Sequence, residues 1–558
     1  MTDLASENAD RRTPDNIVPP PTTIGAILRQ VGPGLIIAAN IVGSGELIMT
    51  TKTGAEAGIT LLWLILLGCV VKVFVQLELG RFTISHGETT LTSLNRVPGP
   101  RAGRINWVVL LWGFMTLTTV GQLGGIVGGV GQALALTVPI TGDTVDAVKI
   151  PSEKNVRAFA DWQLIQEGSP PVNDAKAGEK LAKASEAERA RIGKHMAWID
   201  TKLQELGPPG ENLLSLARKN ESFDTESGEN LTEPKTIDDK IWVIIVGVFT
   251  ATVLFIGRYK LIERFSVTLV VTFSFITLCN VIALQQSDRY GLSADEIIAG
   301  LTFRLPDVSG ALVTAFATFG IIGVGASELI SYPYWCLEKG YAKSVGPRDS
   351  SEAWLNRARG WFRVMKFDAF ASMVIYTIAT AAFFFMGAAV LYSEGRNPEG
   401  MRMVSTLAQS YVPVFGDYAR WLFLGGAIAV LYSTYLVANA GNARMVSDFL
   451  SVSGLKSTAP DSDQRAKMVT IWSVLLPLAC VLAYVAFPKP VHLVTIAGMA
   501  QAIMLPIIGF SSIYFRYRET DERLRPGKVW DALLIVSCIA LLIAGGWGIF
   551  KTAGKLFG

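Results

Sequence analysis

Long runs of hydrophobic positions cover most of the chain, and one polar block interrupts them. A helix needs about 20 mostly apolar residues to cross the hydrocarbon of a bilayer, and the chain reaches about that length repeatedly. We predict membrane-spanning helices at residues 32–57, 60–83, 105–138, 241–257, 263–284, 308–336, 367–392, 418–447, 468–486, 492–514 and 530–549. The pattern is that of an all-α integral membrane protein embedded in a lipid bilayer.

The predicted helices divide the chain into segments. In chain order these are a tail at 1–30, spans 1–3 at 31–138, a polar insertion at 139–239, spans 4–5 at 240–286, spans 6–10 at 308–514 and span 11 at 530–549. The insertion is rich in Ala, Lys, Glu and Leu over 174–219, which predicts a helix there, and 220–240 reads as a polar linker.

Charge follows the same division. Only 17% of the 558 residues are charged, against about a quarter in soluble proteins, and residues 139–239 hold 32 of the 97 charges. The net charge of +3 gives no basic surface for a nucleic-acid partner. All five cysteines lie in apolar stretches, so neither a disulfide framework nor a Cys-based zinc site is predicted.

Lysines and arginines favour cytoplasmic loops, and their distribution orients the chain. With the N-terminus inside, the cytoplasmic segments carry 24 of them, and the opposite short loops with the C-terminus carry seven. We therefore predict a protein of the plasma or inner membrane with a cytoplasmic N-terminus. Eleven spans then place the C-terminus, like the insertion at 139–239, on the extracytoplasmic side.

Two matching segments predict an internal repeat. Val42-Gly43-Ser44-Gly45-Glu46-Leu47-Ile48 lies in the first span, and Val324-Gly325-Ala326-Ser327-Glu328-Leu329-Ile330 lies in the sixth. They mark the first helix of two five-helix repeats, followed by an eleventh helix. An odd number of spans inverts the second repeat relative to the first, and many secondary transporters build a midplane site from such inverted repeats with broken helices.

Glycine destabilises a helix, and unwound backbone survives in a membrane only where it lines a cavity in the protein. A carboxylate at mid-membrane depth is costly and marks a functional site, so Glu46 and Glu328 are the candidate ligands. No Gly-Lys-Ser/Thr motif indicates a nucleotide-driven pump, and no pattern indicates a soluble enzyme. We predict transport driven by ion gradients or the membrane potential.

Several short motifs occur in order at matching span positions. They are Gly32-Pro33-Gly34, Thr60-Leu61-Leu62-Trp63, Gln76 with Arg81, Gly320-Ile321-Ile322-Gly323, Ser433-Thr434 with Met445 and Phe449-Leu450, and Gln501 with Leu505-Pro506. Together they resemble the natural resistance-associated macrophage protein (Nramp) family of divalent-metal transporters. The resemblance covers most of the chain outside 139–239 and implies a LeuT-like fold.

The chain departs from the family's pattern at the metal site. The first-helix motif of the family, Asp-Pro-Gly-Asn, corresponds here to Gly43-Ser44-Gly45-Glu46. The family's sixth-helix alanine aligns with Val324, and its methionine aligns with Ser327 or, after one inserted residue, with Glu328. The acidic pair that the family carries in its third helix falls near Gly121 and Gly124, and the sixth-helix histidine is absent. The resemblance thus implies a divergent member without the usual metal and proton residues.

Carboxylate, carbonyl and water suit Mg²⁺, Ca²⁺ and Mn²⁺, whereas thioether suits soft metals. We therefore predict a hard divalent cation such as Mg²⁺ or Mn²⁺ as substrate, with no permanently bound cofactor. The predicted metal ligands are Glu46, Glu328, Ser44, Ser327, Gln501, Asn439 and the backbone carbonyls around Gly43 and Val324.

A second hypothesis is an ion-coupled transporter of a small organic solute, an amine or amino acid, on the same fold. Tyr332-Pro333-Tyr334-Trp335 and Cys336 follow the second break and would line its cavity, although Tyr and Trp are also common at membrane interfaces. The glutamates would then bind an amine or a coupling H⁺ or Na⁺, with Ser433 and Thr434 near a sodium site. Under either hypothesis the protein is predicted to be a monomer.

The remaining charges in or near the spans have simpler interpretations. Lys72 and Glu78 lie on opposite faces of one helix, which leaves Lys72 either to neutralise a glutamate or to extend to the interface. Lys52 and Glu56 are predicted to pair at i and i+4. Interfacial anchoring is the default role for Asp368 and Arg444, and no metal site is predicted at His86, His195 or His492, which lie in loops or at span ends.

Overall fold

Helices make up almost all of the computed structural model, which describes residues 17–224, 230–256, 259–306, 309–455 and 463–557. Within this part of the chain, the only sheet is a short antiparallel hairpin of β1 (Arg101–Ala102) and β2 (Ile105–Asn106). The predicted tail at 1–30 is described only from residue 17 onward.

The first half of the chain contains the following helices: α1 (Pro33–Ile41), a π-helical segment (Val42–Thr50), α2 (Thr51–Ala57), α3 (Leu62–His86), α4 (Trp107–Thr137), α5 (Glu153–Gln166), α6 (Glu186–Leu206), α7 (Pro208–Lys219), α8 (Asp238–Ile256) and α9 (Tyr259–Leu284). The second half contains α10 (Ser309–Ile321), α11 (Ala326–Glu338), α12 (Glu352–Met386), α13 (Ala419–Val452), α14 (Asp463–Ala486), α15 (Pro490–Tyr514) and α16 (Lys528–Phe557). Short helices of four to seven residues lie at Ile24–Leu28, Thr90–Leu94, Asp143–Ala147, Ala177–Lys183, Ala294–Gly300, Tyr341–Val345, Met403–Gln409 and Val412–Phe415.

Nine runs of helix in the described residues are long and apolar enough to cross a membrane. The first of them, Pro33–His86, covers the two predicted spans 32–57 and 60–83. A shorter apolar helix at Val271–Leu284 falls within the predicted span 263–284. The protein is therefore a multi-pass membrane protein.

The two segments that carry the repeat lie at the centre of the helix bundle. The π-helical segment contacts α10, α12, α13 and α15, and α11 packs against α1, α3, α13 and α15. Glu46 is consequently 0% exposed, and Glu328 is 9% exposed. Packing on all sides removes both carboxylates from lipid, which a charge at this depth requires.

The polar insertion folds around a small core of its own. Apolar side chains of α5, α6 and α7 meet there: Val156, Phe159, Ala160, Met196, Ile199, Leu203, Leu213, Ala217 and Phe223. The helical structure predicted over 174–219 is confirmed for most of that range, where the structure has three helices, Ala177–Lys183, α6 and α7. Ser185 begins α6 by accepting a hydrogen bond from Glu188 N, and Gly207 ends it at φ = 64° before Pro208.

This insertion docks onto the segment that joins α12 to α13. The Arg191 guanidinium lies 4.3 Å from the centre of the Tyr392 ring, and that of Arg396 lies 5.1 Å from the Trp198 ring. Arg402 extends the interface by donating to Ile150 O at 2.7 Å and Thr232 O at 2.6 Å. Cationic side chains therefore make much of this contact.

Acidification is expected to weaken this docking. Burial, together with the nearby charges of Arg396 and Arg191, lowers the pKa of His195 from 6.5 to about 4. The undocked imidazole takes up its proton near pH 6.5, so the docked form is fully favoured above that pH and loses stability as pH falls towards 4. Hydrogen exchange of α6, corrected for intrinsic rates, should show less protection at pH 5 than at pH 7.5. An equal loss of protection in His195→Gln would contradict this explanation.

Candidate functional site

The first of the two matching segments widens the helix without unwinding it. Residues Val42–Thr50 continue from α1 into α2 as π-helix, so the predicted unwound backbone at Gly43–Glu46 is wrong. Threonine hydroxyls account for part of the difference. Thr50 Oγ1 donates to Gly45 O at 2.9 Å, and Thr51 Oγ1 donates to Glu46 O at 3.4 Å. These carbonyls are thus already hydrogen-bonded to the protein.

Thr434 on α13 clamps the start of this π-helical segment. Its Oγ1 accepts a hydrogen bond from Gly43 N at 3.1 Å and donates to Ala39 O at 3.3 Å. A Cβ at Gly43 would lie 2.1 Å from the same oxygen, so only glycine permits this close approach. Thr434, which was predicted near a sodium site, holds the first helix against α13.

The second matching segment is a true interruption. The α10 helix ends at Ile321, residues 322–325 form turns and extended backbone, and α11 begins at Ala326. Gly323 has φ = 56°, a left-handed conformation that glycine adopts without a steric penalty. Its N–H donates to Glu46 Oε1 at 3.3 Å. The two matching segments are therefore joined directly through the Glu46 carboxylate.

Gly323→Ala is expected to destabilise the protein by about 1–3 kcal/mol, because it strains a left-handed position. The added Cβ would also lie 2.8 Å from Cys69 Cα on α3, where the backbone must move. Thermal unfolding of the purified protein in detergent measures the effect. Gly113→Ala on α4 is the matched control, because a Cβ there meets nothing within 4 Å. An unchanged melting temperature in Gly323→Ala would contradict the prediction.

Only one oxygen of the Glu46 carboxylate is hydrogen-bonded. Its Oε1 accepts from Thr380 Oγ1 of α12 at 2.9 Å as well as from Gly323 N. Its Oε2 is buried and has no hydrogen-bond partner among the described residues. A buried polar atom without a partner is costly and calls for an explanation such as a bound ion or water. A carboxylate oxygen in this position is suited to a cation.

Glu328 sits in the first turn of α11, above the interruption. Its Oε1 accepts a hydrogen bond from Asn40 Nδ2 of α1 at 2.7 Å. A Cβ at Gly325 would lie 2.5 Å from Glu328 Oε2 and 2.8 Å from Gln501 Oε1. The two side-chain oxygens therefore converge on Gly325, where a side chain would displace them.

Lys72 on α3 is buried near the two carboxylates. Its ammonium donates to Phe319 O and, at 2.8 Å, to Ile322 O, the carbonyls released where α10 ends. It also lies 4.7 Å from the centre of the Phe319 ring and interacts electrostatically with Glu46 and Glu328. The side chain is 0% exposed, so it does not extend to the interface, and its role as countercharge for a glutamate stays a prediction.

The other predicted ligands are placed less uniformly. Gln501 lies at the site, but its Oε1 accepts from Ser327 N at 3.2 Å and its Nε2 donates to Gln122 Oε1 at 2.8 Å. It thereby caps the start of α11. Asn439 is turned away, because its Nδ2 donates to Tyr435 O at 2.8 Å and its Oδ1 faces Cys480 at 3.8 Å.

Four further predicted residues lie in or near the two segments and on α13. Val324 is buried within the interruption, and Ser327 is buried in the first turn of α11. Ser433 is 0% exposed, and its hydroxyl has no hydrogen-bond partner in the described part of the chain. The side chain of Ser44 lies outside the described residues.

Asp368 and Arg444, which were predicted to anchor the chain at the membrane interface, make specific contacts within the protein. Asp368 is 1% exposed and accepts from Gly32 N at 3.0 Å and Gly34 N at 2.6 Å. It therefore caps the N-terminus of α1, and its prediction as an interfacial anchor is wrong. Arg444 pairs with Glu338 at 3.0 Å, which also makes it more than an interfacial anchor.

Two predicted relations between charges are confirmed. Lys52 and Glu56 form an ion pair at 2.9 Å. Lys72 and Glu78 are not partners, because Glu78 pairs with Arg81 at 3.2 Å and Arg516 at 3.3 Å.

The aromatic residues after the interruption are buried and do not lie at a lipid interface. Tyr332, Tyr334 and Trp335 are at most 3% exposed. Tyr332 donates to Asp368 Oδ2 at 3.4 Å and Tyr334 donates to Asp448 Oδ2 at 2.6 Å. Their hydroxyls thus tie α11 to α12 and α13.

The residues missed by sequence reasoning are polar side chains within apolar helices. Asn40 and Thr380 bind the two glutamates directly, and Gln122 supports Gln501. A polar residue in a predicted span is a usable signal, but the residues contacted lie 288, 334 and 379 positions away. Sequence spacing alone therefore could not have paired them.

No group of three or more His, Cys, Asp and Glu side chains in the described residues is arranged to hold a metal. The side chains of Glu46, Glu328 and Gln501 offer the oxygen atoms of two carboxylates and an amide as ligands. Such a set is hard in character and suits Mg²⁺ or Mn²⁺ better than a soft metal.

The profile of the natural resistance-associated macrophage protein-like family, Nramp, matches residues 231–551, more than half of the chain. A search of curated protein sequences gives no significant match.

Two crystal structures of a manganese transporter from Eremococcus coleocola have the same overall fold. One is a single-site mutant with a TM-score of 0.57 at 12% identity, and the match covers 97% of this chain and 90% of that one. The other, in complex with an aromatic bis-isothiourea substituted compound, has a TM-score of 0.57 at 13% identity over the same shares. The predicted fold class, a LeuT-like fold of two inverted five-helix repeats with an eleventh helix, is confirmed.

Proposed function

The chain belongs to the Nramp family, and on that premise we propose that it is a secondary-active transporter of a hard divalent cation such as Mg²⁺ or Mn²⁺. Members of this family are transporters and not enzymes. The observation that carries the proposal is the buried Glu46 carboxylate, which has one oxygen fixed by Gly323 and Thr380 and the other without a partner. The manganese transporter of the same fold supports a divalent cation as substrate.

Contacts on both sides of the site fit alternating access. On one side Lys52 pairs with Glu56 and with Glu399 at 3.1 Å. On the other side Asp448 accepts from Tyr334 and Thr89. A cation held at Glu46 is enclosed while both sets of contacts remain, so one set must open for entry and the other for release.

The alternative substrate, an organic solute, receives less support from the geometry. The cavity lined by Asn40, Ser327 and Trp335 has a volume of about 10 Å³, which is room for about one water molecule. The hydroxyls of Tyr332 and Tyr334 are occupied by Asp368 and Asp448, so these side chains offer no free polar contact. The cation remains the better-supported substrate.

Uptake into proteoliposomes tests the proposal. We expect saturable accumulation of Mg²⁺ or Mn²⁺ above protein-free vesicles, with no accumulation of labelled amino acids or amines. Accumulation of an organic solute without any divalent uptake would contradict it.

We also propose the orientation of the protein in the membrane and the ion whose gradient drives transport. The excess of lysine and arginine in one set of loops supports a cytoplasmic N-terminus and an extracytoplasmic insertion. We propose a monomer in which H⁺ or Na⁺ supplies the coupling. Thr434 is already engaged with the first helix, which favours H⁺. Uptake driven by a pH gradient but not by a Na⁺ gradient would support H⁺, and the reverse would assign Na⁺.

A further inference from the structure

Residues 392–402, named here the docking segment, follow the end of α12, and their backbone is mostly irregular. They carry two partners of Lys52 on α2, whose ammonium donates to Asn397 Oδ1 at 2.8 Å and to Glu399 Oε1 at 3.1 Å. The ammonium also pairs with Glu56 at 2.9 Å, and only 5% of Lys52 is exposed. These four side chains, named here the Lys52 cluster, form the closed contacts on one side of the candidate site.

The polar insertion holds the same docking segment through a second set of contacts. A Cβ at Gly395 would lie 2.8 Å from His195 Cβ on α6, so the two chains are in close contact there. Lys154 on α5 interacts electrostatically with Glu399, which is itself a member of the Lys52 cluster. Two cation–π contacts add to this interface, those of Arg191 with Tyr392 and of Arg396 with Trp198.

Two glycines fix α2 to the end of α12. A Cβ at Gly54 would lie 2.5 Å from Phe384 O, and one at Gly387 would lie 2.1 Å from Thr51 O. Small residues permit such close packing of helices within a membrane. Because α2 and the end of α12 are packed backbone to backbone, opening the Lys52 cluster requires the docking segment to move.

We propose that the insertion is a clamp on the Lys52 cluster, which holds the docking segment where it keeps this side of the transporter closed. The docking segment cannot move without losing its contacts with α5 and α6, so the free energy of those contacts adds to the free energy of opening. The docked insertion thereby lowers the fraction of molecules that are open on this side. This inference rests on alternating access in the proposed function and gives the insertion a regulatory role in it.

An insertion that is merely attached to the helix bundle predicts a different behaviour. In that case the docking segment keeps its position through its own contacts with the bundle, and loosening the insertion leaves the Lys52 cluster closed. If the insertion is a clamp, weakening the interface from either of its two sides opens the cluster more often. The reactivity of the Lys52 amine therefore separates the two roles.

Acetylation of Lys52 in the full-length protein in detergent is the test, with a sulfo-N-hydroxysuccinimide ester as reagent and peptide mass spectrometry as readout. A buried ammonium that is held by three oxygen atoms reacts only when its contacts open, so the rate follows the open fraction. For Arg191→Ala we expect the rate at Lys52 to rise about 3- to 10-fold, the size of the effect of one partly buried cation–π contact. Gly395→Ala should raise it as well, because the added Cβ meets His195.

Each variant has a matched control. Lys194→Ala removes an exposed cation from the same helix as Arg191. Gly416→Ala imposes the same left-handed strain as Gly395→Ala, since the two glycines have φ = 53° and 69°, but its Cβ meets nothing within 4 Å. Both controls should leave the rate at Lys52 unchanged, and the exposed Lys489 is the internal standard for the reagent.

Failure of this inference can be told apart from failure of the proposed function, because the acetylation needs neither a metal nor transport. An unchanged rate at Lys52 in both Arg191→Ala and Gly395→Ala would overturn the clamp, and so would an equal rise in the two controls. Absence of divalent uptake by the wild-type protein would overturn the proposed function itself.

Discussion

Glu46→Gln should reduce divalent-cation uptake at least about 100-fold, more than the loss typical of groups that only support a metal ligand. Glutamine preserves the size of the side chain and can still accept from Thr380 and Gly323 through its amide oxygen. It replaces the unpaired Oε2 with an NH₂ group, which has no lone pair for a cation, and it removes the negative charge. Glu328→Gln should have a similar effect, because it removes the second carboxylate.

Glu338→Gln is the matched control for both variants, ten residues along the chain from Glu328. Glu338 pairs with Arg444 in a partly exposed ion pair, which contributes about 0–1 kcal/mol, so Glu338→Gln should retain uptake within about threefold. Undiminished uptake in Glu46→Gln and Glu328→Gln would show that the substrate does not bind at these carboxylates.

Lys72→Met should have the second largest effect. It should lower the melting temperature of the metal-free protein and increase the stabilisation that Mg²⁺ provides. Removing one partner from a buried group of charges costs about 3–5 kcal/mol. The substitution also leaves the carbonyls of Phe319 and Ile322 without their donor. The metal-free protein should therefore melt at a clearly lower temperature. A bound divalent cation would then be the main countercharge for Glu46 and Glu328, so saturating Mg²⁺ should raise the melting temperature more than in the wild type.

Thermal unfolding in detergent, with and without Mg²⁺, measures both effects. Lys489→Met is the control, since Lys489 is exposed just before α15 and its loss should change neither quantity. A Lys72→Met protein that melts like the wild type and gains the same stabilisation from Mg²⁺ would show that this ammonium is not coupled to the site.

Hydrophobic periodicity and the repeated segment predicted much of the fold, because both are local properties of the chain. The predicted spans coincide with long apolar helices such as α4 and α15. Local helix geometry was harder to predict. Gly43 and Gly45 predicted unwinding, yet the segment remains helical because Thr50, Thr51 and the distant Thr434 bond to its backbone.

The residues of the candidate site were also only partly predictable from the local sequence. Glu46 and Glu328 stand out in the sequence as carboxylates beside glycine at mid-membrane depth. Asn40 and Lys72 act through partners that lie 288 and about 250 residues away, and only the folded chain reveals those pairs. Asn439 was predicted from its helix alone, whereas the rotation of α13 directs it to Cys480 on α14.

Equilibrium binding of labelled Mn²⁺ to the purified protein tests the central claim most directly, because it needs no transport and no coupling ion. We predict saturable binding by the wild type that Mg²⁺ displaces, and loss of that binding in Glu46→Gln and Glu328→Gln but not in Glu338→Gln. Binding of equal stoichiometry and affinity in all four proteins would contradict this prediction.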